Sequence, residues 1–183
     1  MTKSDLGKMS FCGVRLGMTR AEVFGLMGDE VIWASDDLVF AWPSNVKPVP
    51  GYENYSPHEI TVWFSQAKDH AALITGPILD LGTGESLQFL DGEERISLVS
   101  PATRRANDVY AYADPASFRQ LVIATKEGKI IHMVLQEIDP ETLDSDGYQH
   151  FQVRTEITWN LNPDGAVSSV LEIPGPVAPS PPD

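Results

Sequence analysis

The stretch Gly17-Met18-Thr19-Arg20-Ala21-Glu22-Val23-Phe24-Gly25-Leu26-Met27-Gly28 encodes one short helix with defined ends. Thr19 is a preferred N-cap residue, and Glu22, three residues later, can accept a hydrogen bond from the N–H of the cap. Gly28 stands where a residue in a left-handed conformation ends a helix. The stretch therefore predicts a helix whose first and last residues are specified locally.

The same stretch also predicts how the helix docks. Met18 and Val23 occupy the two positions of a hydrophobic staple. Val23, Leu26 and Met27 share one face through their i, i+3, i+4 spacing. We therefore expect this face to pack on a sheet.

Short β-prone runs joined by turn residues predict antiparallel hairpins in the rest of the chain. Residues 31–33 and 38–42 flank a polar turn, and residues 121–125 and 129–135 are joined through Lys126-Glu127-Gly128. A further hairpin is expected at 153–173, where residues 162–165 form the turn. The remaining expected elements are strands at 60–64, 96–99 and 109–112, a helix near 84–91 and a long proline-rich loop at 43–57.

The order of these elements predicts an α+β fold of short helices packed on an antiparallel β-sheet. This fold could consist of two tandem helix-plus-sheet repeats, at about 13–66 and 77–136. The C-terminal hairpin 153–173 would follow them. Residues 1–173 would form one domain. Residues 174–183 contain five prolines and are expected to be a disordered tail.

The helix signature, followed by aromatic strands, resembles a motif of two known families. Gly17-Met18-Thr19, Val23, Leu26 and Gly28 are similar to the helical motif of the SmpA/OmlA lipoproteins of outer-membrane β-barrel assembly and of the β-lactamase inhibitory proteins. The resemblance implies short helices against an antiparallel sheet and a function in protein binding. Both families are exported, whereas this chain has no apolar signal segment and no lipobox before Cys12.

Composition limits the classes of partner. The 183 residues include 26 acidic and 13 basic side chains, a net charge of −13. This excess argues against nucleic acid and anionic lipid and favours a partner with a basic surface, although acidity for solubility alone is also common in bacterial cytoplasmic proteins. No run reaches the roughly 18 apolar residues of a membrane span. With one cysteine and no leader segment, a cytoplasmic protein is expected.

Aromatic and acidic residues are the candidate contacts to a partner. Tyr52 and Tyr55 lie on the proline-rich loop, and Trp42 lies on an adjoining predicted strand, where a core position is the competing interpretation. The acidic residues of the C-terminal third could complement a cationic partner. The full set of predicted partner-binding residues is Trp42, Tyr52, Tyr55, Asp139, Glu141, Asp144 and Asp146.

Catalytic and metal-binding patterns are missing from the sequence. The four histidines, His58, His70, His132 and His150, have no H-x-x-x-H spacing that would present two ligands on one helix face. Cys12 has no base at a motif spacing, and no nucleotide-binding glycine loop occurs. We therefore predict no metal, no cofactor and no catalytic residues.

The leading hypothesis is a non-catalytic acidic protein-binding module, such as an inhibitor or immunity protein that covers a basic partner. A structural or assembly factor of a larger complex is the first alternative. A small enzyme whose site is assembled from distant residues, with Cys12, His58, His132 and the acidic loops as candidates, is the second.

Overall fold

The computed structural model describes residues 3–47, 49–52, 58–65, 69–106, 108–114, 116–137, 157–161 and 167–172. One α-helix, α1, spans Arg20–Met27, and 3₁₀ helices span Leu6–Lys8 and Glu93–Leu98. The strands of the first half are β1 Ser10–Phe11, β2 Trp33–Ser35, β3 Val39–Pro43, β4 Glu59–Phe64, β5 Ala71–Thr75, β6 Ile78–Asp80 and β7 Ser86–Gln88. Those of the second half are β8 Thr103–Ala106, β9 Val109–Asp114, β10 Arg119–Lys126, β11 Lys129–Glu137, β12 Ile157–Leu161 and β13 Val167–Glu172.

The main structure is an antiparallel sheet of eight strands in the order β2-β3-β4-β5-β11-β10-β9-β8. It consists of two four-stranded meanders that meet where β5 pairs with β11. Because each meander runs inward from its first strand, β2 and β8 lie at the two edges. Strands β1, β6 and β7 form a second sheet, and β12 pairs with β13 in a hairpin.

The central strands β10 and β11 are buried on both faces. On one face, Leu121 and Ile123 join the largest apolar cluster of the protein. On the other, Val122 and Val134 form a second cluster, against which Tyr52 packs. Burial on both sides explains why these two strands are nearly continuous apolar runs, whereas β4 places Ile60, Val62 and Phe64 alternately in the core.

Helix α1 has the ends that the sequence predicts. The Thr19 hydroxyl accepts a hydrogen bond from the N–H of Glu22 at 3.2 Å, and the Glu22 carboxylate accepts one from the N–H of Thr19 at 2.8 Å. Gly28 ends the helix with a φ of 79°. The capping box and the glycine stop are confirmed.

The docking face of α1 differs in part from the prediction. Val23 is fully buried and Met27 packs against the core, but Leu26 points outward and is 54% exposed. Phe24 takes its place, with its ring centroid 5.1 Å from those of both Phe40 and Trp42. Val23, Phe24 and Met27 form the buried face of the helix, and Leu26 projects beside that face, toward Gly13.

The predicted α+β class is wrong, because the protein is mostly β. The expected helix near 84–91 is instead β7, whose Leu87 is fully buried. The expected strand at 96–99 is largely the 3₁₀ helix Glu93–Leu98. No capping box precedes residues 84–91, and Gly82 and Gly84 have positive φ, so no helix begins there. The chain therefore does not form two tandem helix-plus-sheet repeats.

The predicted hairpins are confirmed. Strand β2 pairs with β3, β10 pairs with β11, and β12 pairs with β13. The boundaries of a single domain at 1–173 remain a prediction, and the proline-rich tail 174–183 lies outside the described residues.

Candidate functional site

The edge of the sheet at β2, together with α1 beside it, combines exposed apolar side chains with carboxylates. We call this surface the acidic edge. Its apolar members are Ile32 and Trp33, and its acidic members are Glu22, Asp29, Glu30, Asp36 and Asp37.

The apolar members of the acidic edge are large and accessible. Ile32 is 50% exposed, and Trp33 is half-buried. The main-chain N–H of Ile32 donates to the carbonyl of Ala41 at 2.7 Å, which holds this residue on the edge of the sheet. Large apolar side chains held on a regular element suit contact with another macromolecule.

Trp33 has a fixed position on the sheet. Its indole Nε1–H donates to Oε2 of Glu59 on β4 at 3.0 Å. Ala41 lies directly opposite Trp33 in the register and is fully buried. Because alanine has no side chain beyond Cβ, the indole can cross β3 to reach β4. The ring is thereby held in one orientation.

The β2–β3 hairpin ends in two consecutive aspartates with left-handed backbones. Asp36 has a φ of 53° and Asp37 a φ of 56°, and the N–H of Leu38 donates to the carbonyl of Ser35 at 3.1 Å. Positive φ at both central positions is the geometry of a type I′ turn, for which asparagine followed by glycine is the preferred pair. Aspartate is also common at the first of these positions, so Asp37 is the residue that departs from the preference, with a carboxylate where glycine would suit the backbone better.

Arg20 connects α1 to this hairpin. Its Nε–H donates to Oδ1 of Asp69 at 3.0 Å, and one of its terminal N–H groups donates to the carbonyl of Asp37 at 2.8 Å. The guanidinium carbon lies 5.2 and 4.7 Å from the ring centroids of Phe40 and Phe64. The Asp37 carboxylate is 3.6 Å from the guanidinium and 91% exposed, so this contact is weak.

Most carboxylates of the acidic edge have no cationic partner among the described residues. Between Arg20 and Lys47 the sequence contains the five acidic residues of this surface and neither lysine nor arginine. Apart from the contact of Asp37 with Arg20, none of these carboxylates forms an ion pair within the described part of the chain. The surface therefore presents a negative potential around its apolar side chains.

The structure separates the residues that were predicted from the sequence to bind a partner. Trp42 is 1% exposed and donates through Nε1–H to the carbonyl of Gly28 at 2.9 Å, so it belongs to the core. Tyr52 is half-buried, with its ring 6.1 Å from that of Phe89. Four acidic residues and one aromatic residue of the predicted set lie outside the described residues: Tyr55, Asp139, Glu141, Asp144 and Asp146.

The acidic edge was not among the sites predicted from the sequence, although one signal for it was present. Trp33 was not among the predicted partner-binding residues. The missed signal was the run from Ala21 to Val46, which has acidic but no basic side chains.

The histidines occupy separate environments. His58 is exposed, and Nε2 of His70 lies 2.5 Å from Oε1 of Glu137, a contact that joins β5 to the end of β11. His132, on β11, has a buried Nε2 without a hydrogen-bond partner among the described residues, and burial lowers its pKa to about 4. His150 lies outside the described residues.

Cys12 has no feature of an activated thiol. It is a free cysteine on the surface, and partial burial raises the pKa of its thiol. In the described part of the chain, no three His, Cys, Asp or Glu side chains converge as a metal site requires. The absence of metal, cofactor and catalysis remains a prediction.

A cleft beside the 3₁₀ helix Leu6–Lys8 contains two lysines, Lys3 and Lys8. The Lys3 ammonium donates to Asp114 at 2.8 Å, and that of Lys8 is 3.9 Å from the Asp5 carboxylate. Both cations therefore have acidic neighbours, and the cleft offers no free positive charge to an anion.

No helix in the described ranges is long and apolar enough to cross a membrane. Comparisons of the chain with protein-family models, with curated proteins and with solved structures found no match.

Proposed function

We propose that this protein is a non-catalytic binding module whose acidic edge takes up a partner protein with a basic surface. The observation that carries the proposal is the exposure of Ile32 directly before the edge strand β2, with carboxylates preceding and following that strand. Interfaces use apolar anchors for affinity and charges for partner choice.

The aspartates of the β2–β3 turn support the same proposal. Asp37 occupies a left-handed position that glycine fills at lower cost, and Asp36 before it stands where aspartate is a common residue. Residues that violate a local structural preference tend to be retained for function. Two carboxylates at the tip of an edge hairpin lie where a cationic surface can approach them.

Where the basic partner is an enzyme or a toxin, this function is that of an inhibitor or an immunity protein. The lone free Cys12 is compatible with a reducing compartment, and we propose the cytoplasm as the place where the partner is met.

The proposal is tested by charge removal at the acidic edge against matched removal elsewhere. The edge variant carries Asp29→Asn, Glu30→Gln and Asp36→Asn. The control variant carries Glu94→Gln, Asp108→Asn and Glu127→Gln, three exposed acids outside the acidic edge. Both variants have the same net charge, so a difference between them reports location.

Wild-type protein and both variants would be used to capture partners from a lysate of the native host, and the affinity of each captured protein would then be measured at low and high salt. We expect a basic protein whose dissociation constant rises about tenfold with the edge variant and little with the control. Equal effects of the two variants, or binding that salt does not weaken, would contradict the proposal.

A further inference from the structure

We infer that the partner binds the acidic edge as an extended basic segment that pairs with β2 and adds a strand to the eight-stranded sheet. This inference rests on the proposed function and specifies the geometry of the contact. Its starting point is the place of β2 at the end of the strand order.

The outer side of β2 is available for main-chain hydrogen bonds. On its inner side the strand pairs with β3, from Trp33 opposite Ala41 to Ser35 opposite Val39. No described strand pairs with the outer side. Edge strands are commonly protected by being very short, by lysine or proline, or by a covering element. Strand β2 has only three residues, but Trp33-Ala34-Ser35 contains neither lysine nor proline, and Ala34 is exposed.

The side chains along this edge can contact an added strand on both faces of the sheet. Ala34 pairs with Phe40, so it lies on the face that α1 partly covers, and it is exposed there beside Ile32. Trp33 lies on the opposite face, held by its hydrogen bond to Glu59. Alternate side chains of an incoming strand would meet the aliphatic residues on one face and the indole on the other.

The carboxylates determine the chemistry of the segment. Asp29 and Glu30 precede β2, and Asp36 and Asp37 follow it, so negative charge flanks the strand at both ends. A complementary segment has lysine or arginine at both ends and β-branched residues between them. A length of about five to seven residues matches an ordinary strand.

The test uses a synthetic heptapeptide of the sequence lysine, lysine, valine, threonine, valine, lysine, lysine. Two N-methylated forms keep its charges and side chains. One is methylated at its third and fifth residues, and the other at its second, fourth and sixth. Because alternate N–H groups of a strand point to opposite edges, strand addition uses only one of these two sets.

We expect the parent peptide to bind in low salt, one N-methylated form to bind at least tenfold more weakly, and the other to bind like the parent. The amide of Ala34 is then expected to exchange hydrogen more slowly in the complex, whereas Ser35, whose carbonyl accepts from the N–H of Leu38, faces β3 and should be little affected. The edge variant, Asp29→Asn, Glu30→Gln and Asp36→Asn, should weaken parent binding about tenfold. The control variant, Glu94→Gln, Asp108→Asn and Glu127→Gln, should leave it unchanged.

Two other outcomes would each overturn one part of the proposal. If both N-methylated forms bind like the parent while the edge variant still weakens binding, strand addition is overturned and the proposed function stands. If the parent peptide does not bind, or binds both protein variants equally, the acidic edge is overturned as the binding surface. Unchanged thermal midpoints of the two variants would establish that they are folded.

Discussion

Two hairpins of the same sheet, β2–β3 at its edge and β10–β11 at its centre, have similar turns but different surroundings. Both turns place two consecutive residues at positive φ: Asp36 and Asp37 at the edge, Glu127 and Gly128 at the centre. Strands β10 and β11 are buried on both faces, whereas β2 has exposed residues and, among the described strands, a neighbour on one side only. Packing therefore accounts for the residues of the central hairpin, but not for the carboxylates and exposed apolar groups at the edge.

The largest expected effect is on the central hairpin. Replacing the buried Ile123 by alanine leaves a cavity and should lower the free energy of unfolding by about 3 kcal/mol. The same change at the half-exposed Ile32 should cost less than about 1 kcal/mol, because solvent already reaches this side chain. Urea denaturation of the two variants measures both values. Similar losses at the two positions would remove the contrast between the hairpins.

The central hairpin should also be the more sensitive to acid. Burial lowers the pKa of His132 to about 4 in the folded state. As the pH falls below the ordinary histidine pKa of about 6.5, the unfolded chain binds the proton first, so stability falls. Between pH 7 and pH 5 this group should remove about 2 kcal/mol from the free energy of unfolding.

Substituting His132→Leu should reduce that pH dependence by the same amount. The control is His58→Gln, which changes an exposed histidine. Urea titrations at pH 7 and pH 5 give the comparison. A wild-type pH dependence that persists in His132→Leu would show that this histidine is not the group responsible.

A smaller effect is expected at the helix beside the edge hairpin. Thr19→Ala removes the hydroxyl that caps α1 and should cost about 1 kcal/mol of stability. Thr83→Ala, at an exposed threonine outside any helix, is the control. Thermal or urea unfolding distinguishes them. Equal midpoints for the two variants would mean that the cap contributes nothing to the fold.

The smallest expected effect is a gain in stability at the edge turn. Asp36→Asn with Asp37→Gly matches the preference of a type I′ turn and should raise stability by about 0.5 to 1 kcal/mol. The carbonyl of residue 37 can still accept the hydrogen bond from Arg20. A loss of stability in the double variant would show that the two carboxylates serve the fold, and would weaken the argument that they are kept for binding.

Local patterns allowed several elements to be predicted from the sequence. The capping box at Thr19 and Glu22 and the stop at Gly28 are interactions within a few residues, so they form wherever the helix lies. The turn residues Glu127 and Gly128 likewise specify their hairpin. The helix predicted near 84–91 failed because apolar residues such as Leu87 fit a buried strand as well as a helix, and pairing with β6 decided between them.

Most of the candidate site could not be predicted from the sequence. Trp42 and Trp33 both lie on short β-prone runs, yet one is buried beneath α1 and the other crosses Ala41 at the sheet edge. The burial of Phe24 in place of Leu26 depends on the rings of Phe40 and Trp42, which Phe24 meets on β3. These differences arise from neighbours distant in the chain, which residue spacing does not report.

Residues near one another in the chain determined the helix ends, the turns and the negative charge of this protein. Their interactions span three or four residues and need no tertiary partner. The order of the strands determined which of those residues are exposed at the edge of the sheet. The two meanders meet at β5 and β11, so β2 lies at an edge of the sheet and carries Ile32 and the aspartates into solvent. Pairing between strands distant in the chain therefore determines which residues are exposed, and the free energy of the whole sheet selects that pairing.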